Sequence, residues 1–381
     1  MPEPFKELFS EGFARELSAA AAEACPGFDS AGFEGEALAP PYAGLGLKER
    51  VSRLAGALSA RLPGDLAEAL GALFRMHGFR GRGFAGLPGI VLPEVVALRA
   101  FPEGSPGGAA GEDFEICMEA LARLTVGTTA EFAVRPFVEA DPPRALSVMK
   151  GWTLSPDEQV RRLASEGSRL LLPWGGAIPA LVADPSPVLG LLEGLLDDPS
   201  LFVRRSCANS LNDVSKYHPG VFLSFAREHQ GGGARTDWIL RRGARTLLKI
   251  KDPGALALFG YAVPSEREGR RIYRARCSVT PSDIRIGGTA ELFYHACLSG
   301  FSGGILRLEY LVSYPASGGG RRRTRLFFIR ETAAREELEL GGIHPVAFRD
   351  LSVRRQVPGL HRVDFLVNGA GVASAEFMLH R

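Results

Sequence analysis

Val160-Arg161-Arg162-Leu163-Ala164, Val203-Arg204-Arg205-Ser206-Cys207-Ala208 and Leu240-Arg241-Arg242-Gly243-Ala244 repeat one pattern: an apolar residue, two arginines, a variable residue and a small one. Their starts lie 43 and 37 residues apart, and Val134-Arg135-Pro136 is a weaker echo. Turns pairing an acidic residue with proline flank the units, at Pro156-Asp157, Asp184-Pro185, Asp198-Pro199 and Asp252-Pro253. A period near forty with two helices per unit indicates a HEAT-like array. One such unit cannot bury its apolar face alone, so neighbours stack into a curved solenoid with a concave surface.

Working outward, the chain reads almost entirely helical up to about residue 258. Apolar residues recur at spacings of three and four, as in Leu66, Ala69, Leu70, Leu73 and Phe74. Breaks fall around Pro40-Pro41, at Gly83–Gly89, at Glu103–Asp113 and at Gly231-Gly232-Gly233. From about residue 262 the period changes to two: Leu306-Arg307-Leu308-Glu309-Tyr310 alternates as a half-buried strand does. Further strands are predicted at Tyr273–Val279, Thr289–Leu298, Arg325–Ile329, Arg362–Val367 and Ser374–Leu379, with a hairpin turn at Val367-Asn368-Gly369. Some seven short strands in the last 120 or so residues indicate an immunoglobulin-like sandwich. The expected organisation is multidomain: an all-α HEAT-like solenoid over 1–260, a polar linker at 261–268 and an all-β immunoglobulin-like sandwich over 269–381.

With 45% hydrophobic residues, the 381-residue chain has material for a sizeable core. No apolar run approaches the ~20 residues needed to span a bilayer, so no membrane partner is expected. Phe5, Leu8, Phe9, Phe13 and Leu17 alternate with charges as in an amphipathic helix, not a signal peptide. Cys25, Cys117, Cys207, Cys277 and Cys297 form no CxxC pair and no Cys/His cluster with metal-ligand spacing. The expectation is a monomer of the cytoplasm or nucleoid with structural thiols, no metal and no cofactor. Net charge is only +2, but it is uneven. Residues 1–149 carry −7, residues 150–250 carry +3 and residues 251–381 carry +6, so a polyanion would dock on the last two-thirds.

The repeat helices carry polar stripes. In Leu201–Lys216, apolar Val203, Cys207, Leu211 and Val214 take one face, while Arg205, Asn209, Asn212, Asp213 and Lys216 take the other. In Val160–Arg169 the stripe is Arg162, Ser165, Glu166 and Arg169. If both stripes face the concavity, Arg162, Arg169, Arg205, Asn209 and Lys216 would hold phosphates, with Arg241 and Arg245 extending the set. A carboxylate aimed at a polyanion is unfavourable, so Glu166 and Asp213 must serve something positive. The plain alternative is a solvated helix face laced with i,i+4 pairs such as Arg162–Glu166 or Glu131–Arg135. Trp174 would then be an aromatic plug between helices, Trp152 and Trp238 core residues, and His218 structural.

Several ordered runs resemble the AlkC branch of the alkylpurine DNA glycosylases. They are Thr129-Ala130-Glu131-Phe132-Ala133-Val134-Arg135-Pro136-Phe137, Val160 through Arg169, Leu172-Pro173-Trp174, Asp198-Pro199-Ser200, and Val203 through Lys216. The likeness extends to Leu47-Lys48-Glu49-Arg50 and Gly83-Phe84-Ala85-Gly86, and to the C-terminal module, which resembles the immunoglobulin-like domain of one AlkC subgroup. Ser210 stands where a second Asn is expected, and Cys207 where an aliphatic residue is. The resemblance implies hydrolysis of the N-glycosidic bond of cationic bases such as 3-methyladenine and 3-methylcytosine in duplex DNA, without base flipping. It maps the contact residues onto Glu131, Glu166, Trp174 and Asp213. Asp213 would stabilise the oxocarbenium sugar and orient water; Glu131 and Glu166 would add negative field; Trp174 would pack on the sugar or lesion.

Two other functions fit parts of the pattern: a non-catalytic HEAT-repeat protein recognising bent or branched DNA, and a protein-interaction scaffold. For the C-terminal domain, Arg321-Arg322-Arg323, Arg325, Arg354-Arg355 and Arg362 would make a second DNA clamp, with Arg322 and Arg355 foremost. The alternative is a stabilising cap.

Overall fold

The structure is a computed structural model that describes residues 5–79, 84–102, 111, 113–262, 264, 269–301, 303–315, 323–350 and 355–381. Two compact units divide at Gly243/Ala244. That is earlier than the 261–268 linker expected from composition, because two short helices after Gly243 group with the β-strands.

The first unit runs α1 (Glu11–Ala24), α2 (Ser30–Ala37), α3 (Leu47–Ser59), α4 (Leu66–His77), α5 (Val91–Ala100), α6 (Phe114–Leu124), α7 (Arg135–Ala140), α8 (Pro142–Trp152) and α9 (Glu158–Gly167). A small hairpin follows, β1 (Leu171–Leu172) with β2 (Gly176–Ala177). Then come α10 (Pro179–Ala183), α11 (Ser186–Leu192), α12 (Leu201–Tyr217), α13 (Pro219–His229) and α14 (Ala234–Gly243). Among the described residues no helix is long and apolar enough to cross a membrane.

The three Arg-Arg segments fall on α9, α12 and α14, and α12 packs against both of the others and against α13. Like helices of successive units therefore lie side by side, as in a HEAT-like array. Close approach requires small residues at the seams. A Cβ on Gly243 would stand 2.9 Å from Leu211 Cβ, and one on Gly167 would stand 2.5 Å from Val134 Cγ1.

The first two repeat helices begin with a side-chain cap: Asp157 accepts from Gln159 N at 2.7 Å, and Ser200 accepts from Phe202 N at 3.2 Å. In both, the first arginine of the pair then folds back on the turn that precedes its own helix. Arg161 donates to the carbonyls of Ser155 (2.9 Å) and Pro156 (3.1 Å); Arg204 donates to those of Asp198 (2.8 Å) and Pro199 (2.8 Å). Arg161 also forks onto the Asp198 carboxylate of the next unit, at 2.7 and 3.1 Å. That hydrogen bonding holds the Arg161 pKa above its ordinary value against the opposing effect of burial. The acidic-Pro turns of the sequence are thus the sockets for these arginines.

Among the described residues the second unit contains α15 (Arg245–Lys249), α16 (Pro253–Leu258) and eight strands: β3 (Arg271–Thr280), β4 (Asp283–Arg285), β5 (Thr289–Ser299), β6 (Ile305–Ser313), β7 (Thr324–Ala333), β8 (Glu337–Ala347), β9 (Gly359–Val367) and β10 (Ala370–His380). They form a five-stranded sheet, β4-β10-β9-β6-β7, and a three-stranded sheet, β3-β5-β8. Tyr294, Ala296 and Leu298 of one sheet close a core with Leu306, Leu308, Phe365 and Val367 of the other. Asn368 (φ 45°) and Gly369 (φ 76°) make the predicted turn between β9 and β10, both in the left-handed region.

Candidate active site

Asp213 and Glu166 are buried, at 1% and 6% exposure, in the seam between α12 and α9. The helix α12 is enclosed on nearly every side. Its apolar Val203, Cys207, Leu211 and Val214 are buried, and so are Ser206, Ser210, Asn212, Asp213 and Ser215. The solvated-face alternative is therefore overturned for Asn212 and Asp213, while Arg205 and Lys216 of the same stripe are exposed. Buried carboxylates must be paired, and these are. Arg169 donates from Nη1 to Glu166 Oε1 at 2.6 Å and from Nε to Asp213 Oδ2 at 2.8 Å. Lys216 Nζ donates to Asp213 Oδ1 at 3.1 Å. Ser165 donates to Ser206 at 2.6 Å, and Ser206 donates to Glu166 Oε2 at 2.6 Å.

Glu131 joins from the turn before α7. Arg162 Nη2 lies 2.5 Å from Glu131 Oε2 and 3.8 Å from Glu166 Oε2, while Arg162 Nη1 reaches Thr129 Oγ1 at 3.1 Å. Glu131 thus pairs with Arg162 and not with Arg135. Three carboxylates and three cations form one continuous chain: Glu131–Arg162–Glu166–Arg169–Asp213–Lys216. Burial works against the charge of Arg169, but the hydrogen bonds and charges of Asp213 and Glu166 prevail and hold its pKa above the ordinary arginine value. The carboxylates are committed to cations, which leaves them poorly suited to gather a divalent metal.

Arg135, legible in the sequence only as a faint repeat echo, is 4% exposed. It donates to the carbonyls of Gly167 (3.3 Å), Arg169 (3.0 Å) and Gly176 (2.9 Å), tying the end of α9 to the β1–β2 hairpin. Burial pushes its pKa down to about 10, still high enough to keep the charge at neutral pH.

The hairpin carries Trp174 at its turn, with φ 66° and 56% exposure. This replaces the aromatic-plug alternative, since the ring projects from the surface. Non-glycine residues in that conformation persist where surrounding contacts enforce it. Lys48 donates to the Trp174 carbonyl, and Phe5 meets the ring edge-on at 6.5 Å. Trp174, Lys48, Thr129, Phe132, Arg135 and Glu94 line a cavity of about 290 Å³. Burial raises the Glu94 pKa, with Lys48 opposing.

Arg205 and Lys216 are exposed, while Asn209 and Arg241 are half-buried. Arg169 differs from these expected phosphate ligands: it is 7% exposed and occupied by two carboxylates, so we reassign it as a positioning residue. Arg245 and Arg355 are exposed in the second unit, and Arg322 lies outside the described residues. Trp238, expected in the core, is 36% exposed, with Arg204 and Arg242 over its ring at 6.0 and 5.4 Å. Trp152 is buried, and His218 Nε2 meets the Val182 carbonyl at 2.6 Å, a structural contact.

Sequence reasoning put Ser165 on the polar stripe without a role, and missed Ser206, Thr129 and Arg135 as parts of the site. A signal was present for Ser206: it follows the Arg-Arg pair on a helix whose apolar stripe already claimed the opposite face.

A helical repeat array with a buried charged seam, followed by an immunoglobulin-like β-unit, defines an architecture that comparison with known proteins makes specific. Residues 123–247 match the family model described as DNA alkylation repair enzyme, and residues 274–381 match the YhaZ C-terminal immunoglobulin-like domain. The chain is similar to the uncharacterized protein YhaZ of Bacillus subtilis (strain 168), 34% identical over 98% of this chain and 99% of that protein. It is also similar over the full length of both chains to the Pseudomonas fluorescens alkylpurine DNA glycosylase AlkC, solved bound to DNA containing an abasic site analogue, at TM-score 0.85 and 30% identity. The chain belongs to the AlkC-type DNA alkylation repair family, in the subgroup with a C-terminal immunoglobulin-like domain.

Proposed function

We propose that the protein is a DNA glycosylase that hydrolyses the N-glycosidic bond of cationic alkylated bases, of the 3-methyladenine and 3-methylcytosine type, in duplex DNA. One observation carries the reading: Glu131, Glu166 and Asp213, from separate elements, are gathered into one ionic chain beside an exposed, conformationally fixed Trp174. Preorganised charge of this kind suits a reaction that develops positive charge on the sugar.

The base already carries a formal positive charge, so it leaves without being protonated. Water adds to C1′ as the bond to the base nitrogen breaks. The bonding pair departs with the base and neutralises it, and the water's proton passes to a carboxylate and on to solvent. Nothing in this sequence requires a base-binding pocket, which agrees with a mechanism lacking base flipping. Asp213 is the carboxylate nearest the sugar in this scheme. Its Oδ1 partner, Lys216, is exposed at the helix end, where a DNA phosphate would draw the ammonium away and uncover Oδ1. Trp174 offers its face to the sugar or the cationic base. Arg205, Asn209 and Lys216 position the backbone, while Arg162 holds Glu131 and Glu166.

Single-turnover release of 3-methyladenine from methylated duplex DNA tests the reading, with wild type compared against Asp213→Asn. Release by wild type, with a loss of about 10²–10³-fold in the variant and DNA affinity retained, supports it. Folded wild-type protein that binds this DNA tightly yet releases no base would make the protein a non-catalytic DNA binder.

A further inference from the structure

The immunoglobulin-like unit contains a grouping that DNA repair chemistry leaves unused. His295 and Cys297 alternate onto the same outer face of β5, and the register places Glu339 of β8 directly opposite Cys297. The His295 nitrogen, the Cys297 sulfur and a Glu339 oxygen lie within 4.8 Å of one another, with His295 Nε2 2.6 Å from Glu339 Oε1. Among the described residues this is the one set of His, Cys and carboxylate groups close enough to share a metal ion. We propose that His295, Cys297 and Glu339 form a surface zinc site, with the fourth position open to water.

Four features support this assignment. The donor set of imidazole, thiolate and carboxylate is the mixture that borderline Zn²⁺ accepts, and its two anionic groups balance the ion's charge. Zinc bond lengths of about 2.0–2.3 Å give ligand separations of roughly 3.3–3.6 Å in a tetrahedron, so modest side-chain rotation seats the ion and replaces the His295–Glu339 hydrogen bond. The imidazole is already aimed. A β-bulge between Tyr273 and Arg276, with Arg274 at φ 49°, turns the Arg274 carbonyl towards His295 Nδ1 at 3.4 Å. On metal binding Nδ1 stays the donor and Nε2 gives up its hydrogen bond to Glu339 to present its lone pair, the arrangement seen in metal-bound histidines. Finally, Gly341 opposes His295 in the register and leaves the ring room. Two cations lie nearby: Arg276, opposite His295 in β3 with its guanidinium over Phe293 at 5.7 Å, and Arg330, which donates to the Gly341 carbonyl at 3.3 Å. A bound ion would clip β8, an edge strand interrupted by Gly341-Gly342 and Pro345, to its neighbour β5.

The full-length chain, stripped of metal by chelation, would be titrated with Zn²⁺ by calorimetry, and with Co²⁺ as an absorbing substitute. One equivalent should bind, and cobalt should show a thiolate charge-transfer band. Cys297→Ser should abolish that band, while His295→Gln and Glu339→Gln should each weaken zinc affinity by at least about tenfold. Metal-free thermal unfolding of each variant serves as the control for folding. The other four cysteines remain in every variant, so a stoichiometry and cobalt band unchanged in the Cys297→Ser/His295→Gln double variant would overturn the proposal. Failure of folded wild type to bind zinc would overturn it equally.

Discussion

Arg169 Nε sits 2.8 Å from Asp213 Oδ2, and both side chains are nine-tenths or more withdrawn from solvent. The pair joins α9 to α12 through a charge contact that water barely screens. Removing one partner of such a pair strands the other. Arg169→Ala should therefore cost about 3–5 kcal/mol of stability, read by urea denaturation with two-state fitting. A cost below about 1 kcal/mol is what an exposed ion pair gives, and would return Arg169 to the phosphate-binding set.

Trp174 behaves in the opposite way, because its ring supports no core. Trp174→Ala should leave the unfolding midpoint nearly unchanged while slowing lesion excision. Loss of a cation–π contact of about 2 kcal/mol corresponds to roughly 30-fold in the single-turnover rate. An unchanged rate would remove Trp174 from the site.

Arg205, exposed where Arg162 is not, tests the DNA-facing role of its helix. Arg205→Ala should weaken binding to undamaged and methylated duplexes alike, and lower the slope of log K against log salt by about 0.9. A drop confined to damaged DNA would place Arg205 at the lesion instead.

Packing at the seam can be probed without touching charge. Gly167→Ala puts a methyl group 2.5 Å from Val134 Cγ1, and overpacking of this kind costs about 1–3 kcal/mol. The turn before α7 bears Glu131, so excision should fall along with thermal stability. Normal stability and activity in the alanine variant would show that the seam yields.

In the β-unit, His361 is fully buried, stacked on Phe377 at 5.0 Å, with Nδ1 at the Gly359 carbonyl and Nε2 without a hydrogen-bond partner among the described residues. Burial lowers its pKa below the ordinary histidine value. The unfolded chain then binds the proton more readily, so stability is complete above about pH 6.5 and is lost as pH falls from there towards the folded value. Urea midpoints of wild type should fall over that window, and those of His361→Phe should fall less. Parallel curves would exclude this histidine.

Periodicity made much of this architecture legible. The Arg-Arg repeats located α9, α12 and α14, and Asn368-Gly369 located a hairpin. Strand β8 is not among the predicted strands: it contains Gly341-Gly342 and Pro345, residues that weaken a strand pattern but that an edge strand tolerates. The β1–β2 hairpin escaped because two-residue strands have no period. Within the site, the stripes exposed Glu166 and Asp213 but not their burial. Burial of α12 comes from three neighbouring helices, and no local pattern encodes how many neighbours a helix will have. Arg135 was hidden for the same reason, since its three carbonyl partners lie 32 to 41 positions away.

Glu166 belongs to one repeat yet takes a hydrogen bond from Ser206 of the next, and Arg169 reaches across the same boundary to Asp213. Here any change in the angle between units must stretch directional bonds. The array should therefore resist bending where the carboxylates sit, so that flexing to follow a duplex leaves their spacing intact.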